Sequence, residues 1–392
     1  MPYGPQWRLH RRLHTSLLSV QASKAYRRLQ DMQSKKLLQD FLYTNNFSEV
    51  FYQYTSDVMF TLAYGNGQGK DGSDHQRLHR INEMAMFILK TASFGMTLLD
   101  RFPFLDMLPH FVMKWRRMAE DLHYQVKGAY IECCRSGLQS SSWNWSHAAQ
   151  QRSEAKELPW EDICYSIGEL YVAGIHTTKM VLENFIEASV LYPDMVDKAQ
   201  AELDSVVGTD RLPSFDDMDQ LPYIKALISE LLRWRTISTI GVPHTVIQND
   251  EYMGYFIPAG ATVVANQFGM NMDDTIFEEP AKFNPDRYLQ NTELPVSAFG
   301  FGRRSCPGSR LAEGSLFIVI SRLLWGYKIS SSKVNKNLLN ESSSIPREAT
   351  IRVRTPRHQQ IIEKEWADSK IDKIDVLGDI RRGLQSNNMA GN

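Results

Sequence analysis

The chain of 392 residues is short of several things, and each shortage closes off a class of protein. No apolar run approaches the roughly 18 residues that a membrane-spanning helix needs, so the chain as written reads as cytosolic or peripherally attached. Cysteine is scarce. Cys133, Cys134, Cys164 and Cys306 are too few and too irregular for a disulfide framework, and a reducing compartment is expected. Neither sign of charge is in excess: 44 Lys and Arg stand against 45 Asp and Glu, which gives no reason to expect a nucleic-acid partner. Zinc sites need several ligands at set spacings, but no C-x-x-C pair occurs and no H-x-x-x-H pair lies near Cys306. There is no internal repeat.

What is present is helix pattern and apolar bulk. Hydrophobic residues make up 43% of the chain and aromatics 11%, enough for a sizeable core. The first 36 residues hold eight Lys and Arg and one acid, Asp31; the bias of a transit peptide is weighed there, but the spacing fits amphipathic helix better. Helical pattern continues to about residue 135, broken by the glycine-rich GNGQGKDGSD at 65–74. The apolar stretch 94–115 holds Pro103 and Pro109 and cannot be one straight helix; a pocket wall, a membrane-touching patch and a core loop all fit it. Residues 136–157 are serine-rich and polar and read as a surface connection. The N-x-S triplets at Asn46, Asn144 and Asn340 are weak, since nothing else suggests secretion.

A long helix is expected from Trp160 to Leu191, further helices to about Thr236, and hairpin texture over 240–265. A helix over 309–325 and short strands within 326–355 follow. The fold class is mainly α with a small β-sheet. One domain is expected over 1–362, with a charged tail over 363–392 that is partly disordered at its end.

The stretch FGFGRRSCPG (299–308) concentrates chemistry. A thiolate is the reactive and ligating form of cysteine, and Arg303, Arg304 and a following helix N-terminus favour it at Cys306. A nucleophilic cysteine would need a histidine base, and none lies near in sequence. A thiolate that is the axial ligand of a haem iron needs no second protein ligand on its side, so the haem reading is favoured.

These residues resemble the haem-binding loop of the cytochrome P-450 family, F-x-x-G-x-R-x-C-x-G, with Phe299, Gly302, Arg304, Cys306 and Gly308 in register. Other motifs follow in the family's order. SELLRWR holds the E-x-x-R pair as Glu230 and Arg233, and FNPDRYL resembles F-x-P-x-R with Arg287; the resemblance implies an ion-pair network behind the haem. YVAGIHTTKM resembles the distal-helix motif A-G-x-(D/E)-T-T. Ala173 and Gly174 would leave room beside a planar cofactor, Thr177 and Thr178 can bond the helix backbone or hold a water, and the resemblance implies that Thr177 helps deliver protons. His176 stands where the family has an acid; it either relays protons as a group titrating near neutrality or slows oxygen activation. PYGPQWRLHRR resembles the W-x-x-x-R helix, so Trp7 and Arg11, together with His244 of GVPH and Arg304, are the implied haem-propionate partners. Arg8, Arg12 and Arg303 form either a docking face for an acidic electron donor or a solvated surface.

The resemblance covers residues 1 to about 365 and is closest to membrane-bound fungal members. It implies a haem-thiolate monooxygenase with haem b (iron protoporphyrin IX). Electrons would come from an NADPH-cytochrome reductase and oxygen from dioxygen, and an apolar small molecule, plausibly of secondary metabolism, would receive one oxygen atom. The family's location is the cytosolic face of the endoplasmic reticulum membrane. Members begin well before the W-x-x-x-R helix, so the expected fold lacks the anchor, first helices and first strands; a truncated gene model or an inactive remnant is anticipated. FGMNMDD departs further, with Phe268 and Met272 in place of the usual tryptophan and histidine. A haem-thiolate isomerase or dehydratase that needs no reductase is the remaining alternative.

Overall fold

The computed structural model describes residues 1–65, 83, 102, 114–331, 349–369 and 373–389. Most of the glycine-rich break and of the apolar stretch 94–115 therefore lies outside the described residues. In chain order the helices are α1 (Pro5–Leu17), α2 (Val20–Phe41), α3 (Phe47–Tyr64), α4 (Lys114–Gln139), α5 (Trp145–Gln150), α6 (Trp160–Leu191), α7 (Pro193–Val206), α8 (Pro222–Trp234), α9 (Gln267–Asn271), α10 (Asp286–Gln290), α11 (Ser309–Gly326), α12 (Pro356–Asp368) and α13 (Lys373–Met389). The strands are β1 (His244–Thr245), β2 (Asp250–Tyr252), β3 (Tyr255–Ile257), β4 (Thr262–Val263), β5 (Tyr327–Ser331) and β6 (Ala349–Val353). They pair as three two-stranded antiparallel ladders, β1 with β4, β2 with β3, and β5 with β6. Met253 and Gly254, both at positive φ (53° and 81°), turn the chain between β2 and β3 as a two-residue hairpin requires.

Backbone contacts divide the chain into two units: Met1–Leu29, Thr55–Ile175 and Ile371–Asn392 in the first, Gln30–Tyr54 and His176–Lys370 in the second. Every described element of the first unit is helical. Pro5 opens α1, where its fixed φ and missing N–H cost nothing, and the helix buries Leu13 and Leu17. His10 of α1 meets Ser166 of α6 through Nδ1 and Oγ at 2.7 Å.

The serine-rich stretch 136–157 is a surface connection only in its last part, from Gln150 on; around Ser142–Ala149 it is buried. Trp145 is fully buried, its Nε1 donating to the Tyr26 hydroxyl at 3.0 Å. Asn144 caps α5 by accepting from His147 N at 3.0 Å, and its Nδ2 donates to Gly137 O at 2.8 Å. Ser146 Oγ donates to Ala63 O at 3.0 Å. Polar side chains that satisfy backbone groups in this way bury without penalty, so polar composition misleads here. Within the tail α12 reaches Asp368 and α13 covers Lys373–Met389, burying Val376, Leu377 and Ile380; the end of the tail, 390–392, lies outside the described residues.

In the second unit α11 is the central element, buried at every residue from Gly314 to Gly326. Gln30 of α2 grips its start, donating through Nε2 to Leu311 O and Ser315 Oγ, each at 2.8 Å. Arg322, only 2% exposed, ties its far half to α2 and to the turn before α8: it donates to the Asp31 carboxylate, to Ser34 Oγ at 2.6 Å and to Pro213 O at 2.9 Å. A buried guanidinium demands such complete pairing.

Candidate active site

Cys306 sits three residues before α11, on a short loop held in shape by its glycines. Gly300 and Gly302 both take positive φ (69° and 58°), a region that side chains rarely enter. Cys306 N donates to Phe299 O at 2.8 Å, which closes the loop and aims the thiol outward; its side chain is exposed. Gly308, the N-cap of α11, lies close behind, so that a Cβ there would stand 3.8 Å from Cys306 Sγ. A sulfur just ahead of a helix N-terminus, with exposed Arg303 and Arg304 beside it, is placed where a thiolate is stabilised.

Behind this loop lies a buried charge network. Glu230 and Arg233 are fully buried one helical turn apart on α8, and Arg287 of α10 is 7% exposed. Arg233 donates to Glu230 through Nε at 2.7 Å and through an Nη at 2.8 Å, a bidentate pair. Arg287 Nε reaches the same carboxylate at 3.1 Å, and Asn284 N donates to it at 2.8 Å. The remaining guanidinium donors go to backbone oxygens: Asn271, Pro280 and Lys282 for Arg233, Glu278 and Lys282 for Arg287. The segment 271–287 is thereby wrapped onto α8. Trp234 assists, with Nε1 on Ala281 O at 3.0 Å and its ring edge-on to Phe283 at 5.3 Å.

Three polar residues carry this network forward to the cysteine loop. Asn271, whose carbonyl accepts from Arg233, also accepts through Oδ1 from Ser297 Oγ at 2.9 Å. Its Nδ2 donates to Thr236 Oγ1 at 3.0 Å, and Gln267 Nε2 donates to Ser297 O at 3.1 Å. Ser297 begins the short turn that ends at Phe299, the acceptor for Cys306 N. Gln267, Asn271 and Ser297 were not flagged by sequence reasoning; the N in FGMNMDD stands beside the two departures that drew attention and carries no local signal of its own.

The distal motif lies on α6. This helix is largely buried, but Glu169, Ala173, Thr177 and Met180 are exposed at spacings of four, four and three, which makes one accessible face. Thr177 lies on that face, whereas Thr178 beside it is buried. His176 is half-buried against the Tyr52 ring, centroids 6.5 Å apart, and its buried Nε2 has no hydrogen-bond partner among the described residues. Burial first, and Lys179 second, hold its pKa below the ordinary histidine value, with Glu183 opposing. Lys179 itself is tied to Glu183 at 2.6 Å. A Cβ on Gly174 would come within 2.5 Å of the Met59 side chain, so its small size seats a methionine of α3.

Trp7 and Arg11 belong to the first unit, half-buried on α1, where Tyr3 stacks on Trp7 with ring centroids 4.9 Å apart. Arg12 lies 3.9 Å from both Glu154 and Glu157, and the Arg8 guanidinium stands 5.7 Å from the Tyr3 ring. His244 is exposed on β1, opposite Val263.

The donor set suits a haem iron. Among the described residues no group of three or more His, Cys, Asp and Glu side chains is arranged to hold a metal ion, so the chemistry of a single thiolate ligand is the one available at Cys306. Cβ atoms placed on Gly300 and Gly302 would meet no protein atom within 4 Å, which leaves the face of the loop open to a flat group. Among the described residues no helix is long and apolar enough to cross a membrane.

The comparisons with known proteins agree with this geometry. Cytochrome P450 monooxygenase aneD of Aspergillus aculeatus is 38% identical over 398 residues, which cover 98% of this chain and 77% of that protein. Cytochrome P450 monooxygenase drtD of Aspergillus calidoustus is 37% identical, with 96% of this chain and 73% of that one covered. The echilunin cytochrome P450 monooxygenase of Aspergillus ruber is 36% identical, with 98% and 74% covered. Among solved structures, a zebra fish cytochrome P450 with abiraterone aligns at TM-score 0.69 over 90% of this chain and 83% of that one; at 23% identity that likeness speaks for the fold alone. The family model described as Cytochrome P450 matches residues 1–352, and with the fungal relatives it places this chain in the cytochrome P450 family of oxygen-incorporating, haem-dependent monooxygenases.

Proposed function

We propose that this chain is a haem-thiolate monooxygenase that inserts one oxygen atom from dioxygen into an apolar small molecule of fungal secondary metabolism. The observation that carries the reading is the outward-facing thiol of Cys306, on a loop fastened through Ser297 and Asn271 to the buried Glu230–Arg233–Arg287 network. The cofactor is haem b. Cys306 holds its iron, Arg304 and His244 are its propionate partners, and Trp7 and Arg11 supply the further partners that the family resemblance assigns. The bound group supplies oxygen activation, for which a thiolate ligand is suited because it pushes electron density toward O–O cleavage.

The chain's own residues do the rest. The Glu230 network fixes the loop, so that Cys306 needs little reorganisation on receiving its cofactor. Gly308 keeps a Cβ away from the sulfur, and Gly302 allows the loop its left-handed turn. Thr177 presents its hydroxyl on the accessible face of α6 and positions a water there. His176, held neutral by burial and by Lys179, accepts a proton at one ring nitrogen while giving one up at the other. Arg8, Arg12 and Arg303 attract the acidic surface of an NADPH-cytochrome reductase. The working location is the cytosolic face of the endoplasmic reticulum membrane.

The test is turnover of a panel of indole, terpenoid and polyketide compounds with reductase and NADPH under 18O-labelled dioxygen. One labelled oxygen atom per product, and no product without NADPH, is expected. Product formed without NADPH or label would replace the reading with an isomerase or dehydratase.

A further inference from the structure

The two small ladders between α8 and α9 are one element. Thr245 pairs with Thr262 and Asp250 with Ile257, so five residues forward along one arm is five back along the other, and the register is kept. Between the ladders Gly260 N donates to Val246 O at 2.7 Å, and Ala259 N donates to Asn249 Oδ1 at 2.9 Å. Together they make a single β-ribbon over 244–263, about 30 Å long at the ordinary rise of a strand. It turns at Met253 and Gly254. From 242 to 264 not one residue is buried. A strand that covers a core alternates between buried and exposed positions, and neither β2 nor β3 does so.

Composition makes this exposure costly. Val242, Ile247, Tyr252, Met253, Tyr255 and Phe256 are 67–80% exposed. The three aromatic side chains alone leave about 400 Å² open, and the six together offer roughly the 800 Å² that each partner buries in a standard interface. A two-stranded ribbon without a third strand or a covering helix is marginal in water. Charge narrows what can cover it. No Lys or Arg occurs between Arg235 and Lys282, and the ribbon's own charges are Asp250 and Glu251, so an anionic lipid surface is repelled. Both acids lie on β2, where they guard its outer edge against another strand; β3, Tyr255–Ile257, carries no charge at all.

The turn also fixes the direction of the backbone groups of β3. In a two-residue hairpin Tyr252 and Tyr255 form the hydrogen-bonded pair beside the turn, and Glu251 and Phe256 form the non-bonded pair that follows. The N–H and C=O of Phe256 therefore point away from β2, and among the described residues no strand pairs with that edge. We propose that the ribbon is a self-association surface, on which two copies of this chain pair β3 with β3, antiparallel, about a two-fold axis at Phe256. Each Phe256 N–H then donates to the Phe256 C=O of the other copy, and Tyr255 stands opposite Ile257 across the axis. Both outer edges of the resulting four-stranded sheet are the acidic β2, so pairing stops at two copies. Association of this kind is separate from the monooxygenase chemistry and stands or falls without it.

The test is analytical sedimentation of the full chain at micromolar concentration. The wild type is expected at twice the mass of one chain. Phe256→Lys sets two ammonium groups opposite each other at the axis and should raise the dimer dissociation constant at least about tenfold. Phe256→Asp should do the same with two carboxylates. Mixed in equal amounts, the two variants should recover the dimer, since lysine then faces aspartate; a fold lost through either substitution could not be rescued in this way. A monomeric wild type would overturn the proposal, and flotation of that monomer with phosphatidylcholine vesicles would assign the ribbon to a lipid surface. A dimer that both variants leave unchanged, or no recovery in the mixture, would place the interface elsewhere. A mass that keeps rising with concentration would replace closed two-fold pairing with open association.

Discussion

Glu230 serves two arginines and a backbone N–H at zero exposure, so its charge cannot be replaced by water. Glu230→Gln keeps the shape and strands two guanidiniums in the interior. A loss of about 3–5 kcal/mol of stability is expected, read from denaturant unfolding of the chain. A loss below ~1 kcal/mol would mean that the network is hydrated and not structural. Gly302 presents a second, local test. With φ at 58°, an alanine there enters the left-handed region at a cost of about 1–2 kcal/mol, although no neighbour blocks it. Since that strain falls on the cysteine loop, Gly302→Ala should weaken haem retention more than it lowers the melting temperature. Equal retention in variant and wild type would remove the loop conformation from the account.

At the scale of elements, α1 carries a half-buried histidine pair that makes its docking on α6 acid-sensitive. Burial, then His10 and Arg11, depress the His14 pKa from 6.5 to about 4. His10 is lowered as well, by burial, against the pull of Asp162. A histidine whose folded pKa lies below its unfolded value binds its proton more readily when the chain unfolds. Stability is therefore complete above the unfolded value and falls as pH drops from about 6.5 toward about 4, by up to about 3 kcal/mol for His14. His14→Gln should flatten the pH dependence of the melting temperature in that window. An unchanged slope would place the acid sensitivity elsewhere, for instance at His176 or His358, whose pKa values burial also lowers. The helices differ in how readable they were. The expected bounds of α6 coincide with those observed, because a long apolar run ends at Tyr192–Pro193. α5 and α13 escaped notice for one reason: mean polarity was taken for exposure. The buried set Val376, Leu377 and Ile380 has helical spacing, and Trp143 and Trp145 flank a cap residue; both signals were present but diluted.

At the scale of the whole molecule, the parts of the site that were legible are those compressed into a few consecutive residues. The cysteine loop spells its own turns through Gly300 and Gly302, and Glu230 with Arg233 is an i, i+3 pair on one helix face. Arg287 could be assigned only by resemblance, since it lies 57 residues from Glu230. Asn271 and Ser297 were out of reach because their function consists of meeting each other across 26 residues, a fact of folding and not of local pattern. Gly174 has a neighbour that no local pattern reveals, since a Cβ on it would meet Met59 of another helix.

The central claim is that this chain holds haem iron through Cys306. It is tested most directly by the absorption spectrum of the purified protein, reduced and exposed to carbon monoxide, beside Cys306→Ala. The account predicts a strongly red-shifted Soret band in the wild type and its disappearance in the variant. A band that survives the substitution, or the absence of bound haem from a folded wild-type chain, would contradict it.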